Sequence, residues 1–249
     1  MATVEGPSMY LGVDGCPDGW IAVAYSDSAF EGASFSPTLR DLWEDHREAE
    51  RILVDVPIGL RSESSEPRAC DTEARKRLSP RRHHSVFPTP IRAAAHEESY
   101  EAAKATQEAR TTGSLNRQSW GIAPKIAEAD DLLRGSSAAR DRFRECHPEV
   151  CFWAFAGQPM QYSKTGQPRR AYWERVRVLR DREADVYDHI WTATQQIDGA
   201  NCSTDDLIDA FAVALTARGD EAGLRTLPET PERDETGLPM EIVYRQAGE

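Results

Sequence analysis

Several acids of this chain stand where an acid is costly. Asp14 closes the run Tyr10-Leu11-Gly12-Val13, and Asp55 interrupts the apolar run Ile52-Leu53-Val54-Asp55-Val56 ahead of Pro57. Asp209 lies between Ile208 and Ala210-Phe211, and Glu149 follows His147 and Pro148 at the entry to another apolar run. An ionised carboxylate taken out of water without a partner is strongly unfavourable, so each such acid calls for a metal ion, an arginine or a set of backbone donors. Hard oxygen ligands from separate elements suit Mg²⁺ or Mn²⁺, which accept carboxylates and retain waters. Two such ions about 3.5–4 Å apart activate a water and stabilise the leaving oxygen in phosphodiester cleavage, with no dedicated protein base.

Each acid also has a plainer reading. Asp14 at a strand end can accept from the N–H groups of the turn over residues 15–19. Asp206 sits three residues from Asp209 on the same side of a helix and is a further candidate ligand, but Asp205 and Asp206 fall in a first turn, where capping and the helix dipole favour acids. Asp209 lies beyond that turn and is the better candidate. Glu149 is either a ligand or an ordinary exposed residue at a strand entry.

The basic charge gathers where acids are missing. No Asp or Glu occurs over residues 74–96, 109–127 or 150–173, although the formal net charge is −12 with 42 acidic residues. Arg75, Arg81, Arg82 and Arg92 in the first window form a backbone-gripping pattern for nucleic acid. Gln118, Trp120 and Lys125 in the second add an aromatic for stacking on an unpaired base, and the third contributes Lys164. Taken one by one, these arginines fit solvated helix faces and the tryptophans fit core packing. Their clustering favours a nucleic acid partner, whereas the negative total argues against nonspecific coating of nucleic acid.

The elements that must position these residues follow from patterning. Residues 10–16 and 20–25 read as a hairpin joined by a Gly-rich turn, residues 29–35 as a third strand, and residues 39–49 as a helix. Residues 52–56 read as a central strand covered on both faces, and residues 150–155 as a further strand. Between them lies a long insertion over about residues 60–145, helical near 70–78, 93–109 and 126–133. Helices follow near 171–181 and 184–196, then one over 205–218 with Ser203 and Asp206 as its capping box. A Pro-rich tail ends in an edge strand or hairpin at 240–244. In the first strand Tyr10, Gly12 and Asp14 share one face and Leu11 and Val13 the other, so Asp14 and Asp55 emerge at one sheet edge if their strands are adjacent.

This order is shared by ribonuclease H-like folds: an α/β mixed five-stranded sheet flanked by helices, here with a large helical insertion after the fourth strand and a single domain over 9–246. The five cysteines are scattered without a CxxC pair, which argues against a zinc knuckle or a disulfide scaffold, and His83-His84 with Cys70 matches no zinc spacing. No signal-like start or membrane-length apolar run is present, so a cytoplasmic location without membrane contact is expected. Only Lys76, Lys104, Lys125 and Lys164 are lysines, a balance that fits either a salt-rich cytosol or a genome that favours arginine.

The run Gly12-Val13-Asp14-Gly15-Cys16-Pro17 with Gly19-Trp20, and then Asp55-Val56-Pro57-Ile58-Gly59-Leu60, resembles the domain-of-unknown-function family 429, predicted ribonuclease H-like nucleases. Cys70-Asp71 with Ala74-Arg75, Ser85-Val86-Phe87-Pro88, Gln118-Ser119-Trp120-Gly121-Ile122 with Pro124-Lys125-Ile126, and His147-Pro148-Glu149-Val150 resemble that family's motifs, as do residues 206–210 and 240–244. Asp18 departs from the pattern, standing where a second glycine is usual. The resemblance implies the fold and Asp14, Asp55, Glu149 and Asp209 as the catalytic acidic set, similar to resolvase-type members of the superfamily. It supplies no substrate. The function expected is therefore a metal-dependent nuclease acting on DNA or RNA. A noncatalytic nucleic-acid-binding protein retaining the fold is the alternative. An actin- or sugar-kinase-like phosphotransferase fits less well, because no second glycine-rich phosphate loop occurs.

Overall fold

The computed structural model describes residues 8–246. β2 (Gly19–Ser26) pairs antiparallel with both β1 (Met9–Cys16) and β3 (Phe30–Ser36), and α1 (Leu39–Asp45) leads into β4 (Arg51–Val54), which pairs parallel to β1. β5 (Phe143–Glu145) lies parallel on the far side of β4, completing the order β3-β2-β1-β4-β5. Between β4 and β5 run α2 (Ala69–Leu78), α3 (Arg92–Ala95), α4 (Tyr100–Arg110), α5 (Arg117–Gly121), α6 (Ala123–Gly135) and α7 (Ser137–Arg140). After β5 come α8 (Pro148–Ala156), α9 (Pro168–Arg182), α10 (Val186–Gln196) and α11 (Thr204–Ala217), and then a hairpin of β6 (Leu224–Arg233) and β7 (Pro239–Arg245) in its own two-stranded sheet. The mixed five-stranded sheet, the flanking helices and the large helical insertion after β4 match the ribonuclease H-like architecture.

Strand alternation divides the core as the pleat requires. Tyr10, Ile21, Val23, Tyr25 and Leu53 pack with apolar residues of α8–α11 on one face of the sheet. Leu11, Val13, Trp20, Ala22, Ile52 and Val54 pack with those of α1 and α6 on the other. A third cluster joins Cys70, Ala74 and Leu78 of α2 to Val150 of α8 and Leu227, Met240 and Ile242 of the hairpin.

Helix α11 begins at Ser203, whose side chain accepts from Asp206 N while the Asp206 carboxylate accepts from Ser203 N at 2.7 Å. Every residue from Leu207 to Ala217 is buried. The helix lies directly on β1 because Gly12 has no side chain there: a Cβ on Gly12 would sit 2.0 Å from Ala214 N and 2.4 Å from Ala210 O. Strand and helix thus meet backbone to backbone. Asp209 adjoins Ala210 and Asp14 follows Gly12 by two residues, so the same contact sets the separation of their carboxylates.

Two expectations need correction. Residues 150–155 form no strand; they lie in α8, and the fifth strand is the short Phe143–Glu145, inside the span expected to be insertion. A continuous apolar run serves a buried strand or a buried helix equally well. The decision falls to its ends: Pro148 occupies the first helical turn, the His147 side chain accepts from Glu149 N at 3.2 Å, and Gly157 closes the helix in the left-handed conformation at φ 71°. The expected helix over 93–109 is two helices, α3 and α4, the second capped by Ser99.

Gly12→Ala is expected to destabilise the protein by about 3 kcal/mol or more, because backbone atoms rather than a flexible side chain must yield. Urea denaturation measures this, and an unchanged midpoint would show that the strand and helix are not in contact.

Candidate metal site and cleft

The parallel strands β1, β4 and β5 end at one sheet edge. Asp14 stands near the end of β1, and Asp55 follows β4, its N–H donating to Val13 O at 2.9 Å. Cys146 follows β5, its N–H donating to Val54 O at 3.0 Å, and His147 then caps α8. Carboxyl ends of adjacent parallel strands are where open α/β sheets build sites. Here they floor a cleft of about 580 Å³ lined by Asp14, Asp55, Glu149 and Asp209 together with residues of the insertion and of the α8–α9 turn. Four carboxylates from β1, the β4 end, α8 and α11 therefore share one cavity.

Three of them are nearly inaccessible, Asp14 at 7%, Glu149 at 5% and Asp209 at 8% exposure. Burial, then repulsion from Asp55, Asp209 and Asp206, holds the Asp14 carboxyl well above the usual range. Burial also raises Asp55, with His147 and Lys164 pulling the other way. Asp209 is pushed up to about 6 by burial, against the pull of Lys164. The acids are only partly paired. Asp14 Oδ1 accepts from its neighbour Gly15 N at 2.8 Å, which is the turn bonding that a structural strand-end aspartate makes. Arg175, fully buried, donates to Glu149 Oε1, and Lys164 donates to Asp209 Oδ2. Glu149 Oε2 and Asp209 Oδ1 remain buried without a hydrogen-bond partner. Hard oxygen donors, two of them unsatisfied, suit a hard divalent cation.

The other residues singled out from the sequence separate cleanly. Arg81, Arg82, Gln118, Lys125 and Lys164 line the cleft, so all three acid-free windows converge on it. Lys125 is engaged within the fold as well: Nζ donates to Gly19 O at 2.7 Å and lies 4.6 Å from the Trp20 ring. Arg75 donates to Val86 O at 2.6 Å, and Trp120 packs on Ile91, Ala94, Ala103 and Leu115, so neither is on the cleft wall. Arg92 is buried in ion pairs with Asp130 and Asp234. Asp206 is occupied by the capping box and acts on the site through its field on Asp14 and Asp55. Glu149 stands in the first turn of α8 and not at a strand entry.

Arg175 was not among the residues expected from the sequence. Its signal was there: with Ala171 and Leu179 it follows the i, i+4 spacing of the buried stripe of α9.

Two further groups bring three ligand atoms within 4.8 Å of one another, Cys70–Asp71–Glu145 and His96–Asp130–Asp131, a spacing compatible with a divalent cation. No three of the four cleft carboxylates form such a group. Arginine already serves both triads: Arg68 meets Asp71 Oδ1 and Glu145 Oε1 through Nη2, each at 2.7 Å, and Arg92 Nε meets both Asp130 oxygens at 3.1 and 3.2 Å. Arg68 also donates to Ile58 O at 2.9 Å and so fixes the chain leaving β4.

Residues 12–233 match the model of the family described as "Protein of unknown function (DUF429)". No curated protein and no solved structure matches the chain. No helix among the described residues is long and apolar enough to cross a membrane.

Two outcomes follow from these charges. Arg68→Met strands two buried carboxylates and is expected to cost about 3–5 kcal/mol in urea denaturation. Because the folded-state pKa values of Asp14, Asp55 and Asp209 are raised, their contribution to stability is fully present below the unfolded values and is lost as pH rises through the folded ones, about 6 for Asp209. In chelator, Asp14→Asn is therefore expected to melt at a higher temperature than the parent protein near pH 7.5 and to lose that advantage near pH 4. Equal melting temperatures at both pH values would contradict the repulsion.

Proposed function

The chain belongs to the DUF429 family, and we propose that it is a divalent-metal-dependent nuclease that hydrolyses phosphodiester bonds in the acidic cleft. The observation that carries this reading is the layering of charge. Carboxylates from four elements floor the cavity, with two unsatisfied oxygens, and basic residues from three acid-free segments line its walls. A pocket built only to hold an ion needs no such lining, and a phosphate-binding pocket needs no such floor.

Asp14, Asp55, Glu149 and Asp209 would hold Mg²⁺ or Mn²⁺. Such an ion, when bound, supplies polarisation of a phosphoryl oxygen and acidifies a water. The chain's own residues do the rest. Arg175 fixes one oxygen of Glu149 and leaves the other free, and His147 holds the first turn of α8 by accepting from Glu149 N, so that the Glu149 charge acts on Asp55. Arg81 and Arg82 stand on the wall where substrate phosphates would lie, and a guanidinium there grips a phosphate through paired donors. Their neutralising charge is local, which reconciles phosphate binding with the net charge of −12.

Incubation with branched, hybrid and single-stranded nucleic acids plus Mn²⁺ is the test. Cleavage is expected, and Asp14→Asn, Asp55→Asn and Asp209→Asn are each expected to lower it by more than about a hundredfold, beyond the loss typical of outer-shell partners. Arg82→Ala is expected to raise KM and to flatten the dependence on salt. No cleavage of any substrate, or undiminished cleavage by Asp14→Asn, sinks the proposal; metal binding without cleavage would favour a noncatalytic role.

A further inference from the structure

Lys164 stands on the turn joining α8 to α9. The base of that turn is tied down, since Gln161 N and Tyr162 N donate to the Glu174 carboxylate at 2.8 and 2.9 Å and Gln167 N donates to Ser163 O at 2.8 Å. From there the side chain reaches into the carboxylates. Its ammonium donates to Asp209 Oδ2, the partner oxygen Oδ1 has none, and the same charge acts on Asp14 and Asp55. Lys164 thus puts a single positive charge where the acids converge.

The choice of residue is informative. Of 30 basic residues only four are lysines, and the enclosed pairs Arg68–Glu145 and Arg175–Glu149 use arginine. Arg175 is sealed at 0% side-chain exposure, whereas Lys164 keeps 24%. An arginine carries its donors on a rigid planar fork, as Arg68 shows in meeting both Glu145 oxygens; an ammonium is a point charge on a flexible four-carbon stem, and it can leave by side-chain rotation alone.

We propose that Lys164 is a built-in counter-ion that competes with the divalent metal for Asp209, so that metal loading and release of the Lys164 ammonium are one coupled exchange. The proposal rests on the reading of Asp14, Asp55, Glu149 and Asp209 as the metal-holding set. Without metal, the ammonium offsets the repulsion among buried acids. A divalent ion bound to Asp209 repels an ammonium at contact distance, and the side chain then turns toward the cleft wall near Ser163 and Thr165. There its three donors face the space assigned to substrate phosphate.

Two measurements on the full chain test this. In calorimetric titration with Mn²⁺ at pH 7.5, Lys164→Met is expected to bind at least roughly tenfold tighter than the parent protein, because the competing ion pair is gone. Lys164→Arg is expected to bind no tighter than the parent, and Asp14→Asn more weakly. In the parent protein itself, acylation of Lys164, referenced to exposed Lys76, is expected to be slow without metal and to accelerate at saturating Mg²⁺; this readout holds even if Lys164→Met does not fold. Unchanged or weaker Mn²⁺ binding by Lys164→Met, or Lys164 labelling indifferent to Mg²⁺, overturns the exchange while the loss in Asp14→Asn leaves the metal reading standing. Parent protein that binds no Mn²⁺, or Asp14→Asn that binds it equally well, overturns the metal reading and the exchange together.

Discussion

The contact between Gly12 and the backbone of α11 is the constraint on which the rest of this site depends. A strand and a helix ordinarily keep a layer of side chains between them, and here that layer is missing at one point, with Ala210 and Ala214 opposite a glycine. Closing that gap brings a helix carrying Asp209 onto a strand carrying Asp14. Strand pairing does the remaining work: β4 lies parallel beside β1, so Asp55 comes out at the same edge. The acidic floor is thus a product of backbone packing, which is stiffer than any arrangement of side chains.

That packing creates an electrostatic cost which the fold meets unevenly. Elsewhere, buried acids are matched by arginine, as at Arg68 with Asp71 and Glu145 and at Arg92 with Asp130 and Asp234. In the cleft the matching is deliberately incomplete in a physical sense: Glu149 and Asp209 each keep one unpaired oxygen, and Asp14 has its neighbour's N–H. A buried polar atom left without a partner costs stability, so the floor of the cleft is a place where the fold is less stable than full pairing would make it. The basic walls fit the same division, with acids gathered at the sheet edge and cations supplied by the insertion and the α8–α9 turn.

Most elements were legible from local pattern because local physics decides them. The hairpin of β1 and β2, the buried strand at β4 and the capping box of α11 each carry a signal within a few residues. The run at residues 150–155 did not, since an apolar stretch of that length reports burial and not conformation. The true fifth strand, Phe143–Glu145, is three residues long, and its Arg144 and Glu145 are held in ion pairs with Glu241 and Arg68. Nothing in three residues of mixed polarity marks a strand until the partner strand is present.

Read alone, the sequence determined that Asp14, Asp55 and Asp209 are out of place for a simple core and that the basic residues gather in three acid-free windows. Both are facts of composition and spacing, and they survive any detail of packing. Tertiary structure alone decided which windows supply the cleft and which of their residues are spent elsewhere: Arg92 is consumed by Asp130 and Asp234, and Trp120 by the small cluster beneath it. It also decided that Lys164 and Arg175, 45 and 26 residues from the acids they meet, stand as counter-charges. Charge pairing over such distances depends on where the chain returns, and that is set by the summed burial of the whole core rather than by any residue's neighbours in sequence.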